Sequence, residues 1–276
     1  MCYFKTINGL HRLLFSFLFI LLLLLPVISA GSGKELTKEQ KVVASNIAGI
    51  SVITAWGIVN WDYFDTGVNS QSEGWFSEDT RSGGADKLGH FYTSYSLSHL
   101  LGTTYENWGY SQKKSAMLGS VSSFTLMGWM EAGDSFSTFG FAGEDFLMNT
   151  VGCITGYYMA VSPELSEKID LRIEYLPEFD TADVFTDYDH IKYFLALKLD
   201  GFDSVKNEVL KFLEFNLGYY TRDYSGGTDK KRNLFVGIGL NMSEIFNQCG
   251  MKKTSKLAEY VQVPFTYAGR DEDLNE

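Results

Sequence analysis

A chain of 276 residues, 45% hydrophobic and 15% aromatic, can build a sizeable core in one large domain or two modest ones. Its formal charge of -11 excludes wrapping nucleic acid, which demands basic surface. Lys5 and Arg12 are the only charges in residues 1–30, so the remainder holds 21 basic against 34 acidic residues, a balance of -13, and is repelled by anionic membrane surfaces unless apolar contact overcomes this.

The chain opens on a secretory signal. Lys5 and Arg12 form a basic n-region, and Leu13 to Leu25 form an apolar run too short for a comfortable span. Pro26 breaks the run, and Ser29, Ala30 and Gly31 offer small residues for cleavage, so residues 1–30 are expected to be a signal peptide and the chain to be exported to the periplasm or membrane of the cell envelope. No cysteine follows the apolar run, so no lipid-attachment signal is read. Cys153 and Cys249 are expected to be separate thiols, because two cysteines make no disulfide framework.

Thr37 to Gln40 has the pattern of a capping box, so a helix is expected to begin near Lys38. Val42 to Trp61 continues it as an apolar stretch long enough to cross a bilayer, diluted by Ser45, Asn46, Ser51 and Thr54. Residues 62–84 are rich in Gly, Ser and Asp and read as a loop. Three further helices are expected over Asp86–Leu101, Ser115–Ala132 and Glu144–Val161. Gly152 and Gly156 have the four-residue spacing that permits close helix approach, and Gly119 and Gly128 are candidates for the same role. Pro163 ends the last of these helices.

Beyond Pro163 the period changes. Residues 164–190 read as acidic and irregular. Ile191–Leu199, Leu213–Tyr219 and Leu234–Leu240 alternate apolar and polar residues, the period of a strand. Tyr260–Tyr267 reads as a fourth strand, at an edge because of Pro264. Arg270–Glu276 is expected to be a disordered acidic tail. Four strands cannot close a transmembrane barrel, so the sheet is expected to bury its apolar face against helices. The expected fold is α+β, a hydrophobic four-helix core followed by a small antiparallel sheet, with domains 1–30, 31–163 and 164–276.

Polar pairs at helical spacing interrupt the apolar helices: Asp86/His90, Glu131/Asp134 and Asp145/Asn149. Such groups are costly in apolar surroundings unless they face one another, a ligand or water. In an up-down bundle the starts of the second and fourth helices lie beside the end of the third, so the pairs are expected to share one polar site. His90, Glu131 and Asp134 are the candidates for acid–base chemistry, and Asp86, Lys87, Asp145 and Asn149 for binding. Imidazole with carboxylates also suits a divalent metal. Asp86 and Asp145 equally suit first-turn helix acids. Lys87 is a rim cation for phosphate or a solvated neighbour. No His-Glu-x-x-His, Gly-x-Ser-x-Gly or glycine-rich phosphate loop occurs, so zinc-protease, serine-hydrolase and nucleotide readings have no support.

Asp86-Lys87-x-x-His90, then Glu131, then Asp145-x-x-x-Asn149-x-x-Gly152 resembles the YfiM-like predicted periplasmic lipoproteins, a domain of unknown function. The same order is similar to the VanZ-like envelope proteins, helical membrane proteins tied to glycopeptide resistance. The resemblance covers about residues 85–162 and implies an envelope location and a helical core, without supplying a reaction. Two functions are therefore expected to compete: a membrane-associated module with an interhelical His/acid/Asn network, or an enzyme or lipid or glycan-phosphate head-group binder using the same residues. Membrane lipid or another envelope protein is the expected partner.

Overall fold

A computed structural model describes residues 36–176 and 185–275. The expected signal peptide lies outside them. The described elements are α1 (Lys38–Asn60), α2 (Ala85–Asn107), α3 (Gln112–Asp134), α4 (Gly143–Val161), α5 (Pro163–Lys168), β1 (Ile169–Tyr175), β2 (Ile191–Lys198), β3 (Leu213–Arg222), β4 (Lys231–Leu240), α6 (Met242–Gln248), α7 (Lys252–Ala258) and β5 (Tyr267–Asp273). The class is α+β, with the long helices before the sheet. Two compact units divide the described chain: residues 36–73 with 93–157, and residues 74–92 with 158–176 and 185–275.

The first unit is helical. α1 begins at the expected capping box: the Thr37 side chain accepts from the Gln40 backbone N–H, and the Gln40 side chain accepts from the Thr37 N–H. Its outward face is apolar, with Val43, Ile47, Ile58 and Val59 exposed. Its inward positions mix apolar residues, Val42, Ile50, Ile53 and Trp56, with small and polar ones. Asn46 Nδ2 donates to Ser122 Oγ at 2.9 Å, Tyr105 Oη donates to Ser122 Oγ at 3.0 Å, and Ser45 Oγ bonds Tyr105 Oη at 2.9 Å, which ties α1, α2 and α3 together. Close approach of α2 and α3 rests on Gly119, where an added Cβ would stand 2.4 Å from Ser98 O and 2.5 Å from Gly102 N. Gly156 is likewise crowded by Ser98, as its spacing suggested; Gly128 faces open space and serves no contact.

The second unit is a meander in the order β1-β2-β3-β4-β5, antiparallel throughout. Three expectations are corrected. The acidic stretch read as irregular contains β1, whose Asp170, Arg172 and Glu174 are buried. The fourth expected strand, Tyr260–Tyr267, is instead a turn region, because Phe265 takes a positive φ of 64° and breaks extension. The supposed disordered tail supplies β5, paired with β4 from Asn233↔Asp273 to Gly239↔Tyr267. Cys153 is buried and Cys249 exposed, both as free thiols.

Sidedness of the sheet also departs from expectation. One end of its apolar face is covered within the unit: Ala85, Ile191 and Tyr193 form a buried cluster with Leu88, Tyr92 and Ile173 packed on it. Farther along, Leu195↔Leu217↔Val236 and Leu197↔Phe215↔Ile238 form rows across β2, β3 and β4. Phe215 is 50% and Val236 58% exposed there. The opposite face is polar and buried. Arg172 bonds Asp170, meets Glu214 at 2.9 Å and donates to Gln262 at 3.2 Å, while Lys198 meets Asp170 at 2.9 Å. Burial alone would lower the Arg172 pKa; the charges of Asp170 and Glu214 outweigh it and raise it. Lys192 sits against Phe235, 3.9 Å from the ring centre, with Tyr220, Tyr267 and Phe194 around it. An added Cβ at Gly239 would stand 2.3 Å from Asn216 Nδ2, so this inner face has room only for glycine there.

Candidate functional site

The candidate residues fall on three helices and in both units. In the helical unit, Glu131 lies in the last turn of α3 and Asn149 in the second turn of α4, each 1% exposed. Asn149 Nδ2 donates to Glu131 Oε1 at 2.9 Å, and Asn149 Oδ1 accepts from Ser94 Oγ of α2 at 3.0 Å. Ser123 Oγ then donates to Ser94 O at 2.8 Å. The amide thus bridges a carboxylate and a hydroxyl, one donor and one acceptor used, as buried polar groups require. Ser94 was not among the sequence candidates; a serine in an apolar helix gives no charge signal.

Asp145 is buried in the first turn of α4, four residues before Asn149. Asp134, the last residue of α3, lies near the Tyr63 phenol, whose Oη donates to Met130 O at 2.9 Å. Burial first, then the Asp134 charge, pushes the Tyr63 phenol well above its ordinary value. The spacing of three in Glu131/Asp134 therefore brings the two acids to different partners.

In the second unit, Asp86 and Lys87 open α2. Both are buried, Lys87 completely, and Lys87 Nζ stands 2.6 Å from Asp86 Oδ2. Ser82 Oγ donates to the other Asp86 oxygen. Neither residue is a solvated rim group. The buried Tyr193 phenol is pushed up by burial and then by the Asp86 charge. His90 is half-buried one turn further along α2.

A helical unit lined by Ser, Asn, Tyr and Glu, joined to a meander with a charged interior, is the class of arrangement that the geometry defines. Residues 72–161 match the model of a family of predicted periplasmic lipoproteins of unknown function, DUF2279. The match includes every candidate residue and supports an exported, envelope-associated location. No curated protein and no solved structure matches the chain.

Proposed function

We propose that the chain is a membrane-associated envelope module whose helical unit is held in one register by a buried polar network, with a structural rather than chemical role. The observation that carries this reading is the chain Ser94–Asn149–Glu131, which uses groups from α2, α4 and α3 and leaves the Asn149 amide satisfied. Networks of this kind fix a unique packing when their members are paired. Membrane association is supported by α1, which is long and apolar enough to cross a bilayer and has only 17% of its apolar window buried. A core helix of a water-soluble bundle would be mostly buried instead. Asn149→Ala removes the bridge between Glu131 and Ser94. Its unfolding free energy in detergent is expected to fall by about 1–3 kcal/mol. Unchanged stability would sink the structural reading.

A second reading has its own support. His90 stands four residues before Ser94 on α2, and Asp145 four before Asn149 on α4, so each is one turn N-terminal of a member of the network. Glu131 and Asp145 offer two carboxylates in the helical unit, and His90 offers an imidazole on α2, one turn before Ser94. One imidazole nitrogen and two carboxylate oxygens suit a divalent cation such as zinc or manganese. An ion there would attract the phosphate of a lipid or glycan head group, or activate water. Metal analysis of the purified chain, with zinc and manganese titrated in turn, is expected to give one ion per chain and none in His90→Ala or Asp145→Asn. Wild type without bound or titratable metal excludes this reading.

A further inference from the structure

We infer that the outer face of the β2–β4 sheet is a lipid contact, dipping into the bilayer with the end that carries Phe265. Three observations converge. The first is inversion. Leu195, Phe215, Leu217, Val236, Ile238 and Leu240 are exposed, while Arg172, Lys192, Lys198 and Glu214 are inside. In water this exchange is unfavourable on both faces. Against hydrocarbon the outer face of β2–β4 is favourable, and the charges on that side, Arg270 beside Val236 and Glu272 beside Leu234, are confined to the β5 margin.

Secondly, the helical unit by itself also exposes large apolar side chains, Val43, Ile47, Val121 and Ile154, around a core that mixes serines, Asn149 and Glu131 with Leu101, Tyr105 and Leu126. An apolar solvent common to both units accounts for the two faces at once.

The third observation gives the sheet a polarity along its strands. Phe265 is 95% exposed and is held at φ 64°, a conformation that a phenylalanine adopts only under constraint. The next residue anchors the turn, since Thr266 O accepts from Leu240 N at the end of β4. Val209, 70% exposed, and Leu210 precede β3 at this same end, because Leu213 pairs with Leu240. The opposite end is the β3–β4 hairpin, whose loop carries Asp223, Asp229 and Lys230 among Ser and Gly. Asp203, Lys206 and Glu208 are exposed at the Phe265 end as well, so the difference between the two ends lies in the exposed aromatic and aliphatic side chains, which an interfacially seated element buries while the charges beside them stay among the head groups. The strands themselves need not cross the membrane, since five cannot close a barrel.

The test uses the chain without its signal in phosphatidylcholine vesicles, with Cys249→Ser to leave no exposed native thiol. Single nitroxide labels are placed through Phe265→Cys, Ile238→Cys, Thr228→Cys in the charged loop, and Ile47→Cys on α1. Collision rates are measured with oxygen, which concentrates in lipid, and with a water-soluble nickel chelate. The expected result is several-fold less nickel contact at 265 and 238 than at 228, with oxygen contact retained. Nickel contact at 265 and 238 equal to that at 228 overturns the inference; if Ile47 is then in lipid, the membrane reading of the helices survives without it. Shielding of 265 and 238 from both reagents also overturns it, because protein then covers the face. Lipid contact at 265 and 238 with Ile47 in water upholds the inference and removes the support from α1.

Discussion

At the scale of the residue, Lys192 makes a prediction with a definite sign. Burial among four aromatic rings lowers its pKa below the ordinary 10.5, and Asp271 at 3.5 Å opposes this incompletely. Glu174 and Arg222 also bear on it. The folded state therefore releases this proton at lower pH than the unfolded state does. Between the two values the unfolded chain binds more protons, and stability rises with pH. That is the contribution of Lys192 alone: burial also raises the phenols of Tyr63, Tyr92, Tyr193, Tyr219, Tyr220, Tyr260 and Tyr267, so the unfolded tyrosines ionise first and pull stability down over the same alkaline range. Denaturant titrations from pH 8 to 10 are expected to show stability falling less steeply in wild type than in Lys192→Met; equal slopes would refute it. The candidate site and this lysine differ in how legible they are. Glu131, Asp145 and Asn149 announce themselves because a polar group in an apolar helix has no water to turn to. Lys192 does not, because a lysine alternating with Tyr193 and Ile191 reads as the wet side of a strand. A period of two separates two faces without saying which is inward.

At the scale of the element, close packing sets the cost of side-chain growth. Gly119→Ala places a methyl group where Ser98 O and the Gly102 backbone already stand. Backbone cannot swing aside as a side chain can, so a loss of about 1–3 kcal/mol is expected in thermal unfolding. Gly128→Ala, in open space within the same helix, is expected to gain up to about 1 kcal/mol from propensity alone. Similar effects at both positions would contradict the close approach of α2 and α3. Elements were legible where one signal dominated: the capping box at Thr37, the long apolar helices, the alternation of β2, β3 and β4. β1 and β5 were obscured by their charges. Asp170, Arg172 and Glu174 alternate correctly, yet an acidic stretch suggests solvent unless the counter-charges of Glu214 and Lys198, far away in sequence, are known. α6 and α7, seven residues each, are too short for a helical period to stand out.

For the whole molecule, charge and sidedness act in opposite directions. An excess of acidic residues keeps the body away from anionic leaflets. On the proposed membrane reading, attachment to a bilayer rests on hydrocarbon contact with little help from electrostatics. Salt is then a weak lever on membrane binding.

Both margins of the meander are guarded against further strands among the described residues. β5 presents Arg270, Asp271, Glu272 and Asp273 in succession. Along β1, Ile173 N donates to Tyr260 O, and Ile173 O accepts from Gln262 N, so residues 260–262 occupy part of that margin. Neighbouring copies crowded in an envelope thus meet a charged edge on one side and a partly occupied edge on the other, both of which disfavour strand-on-strand growth into fibrils.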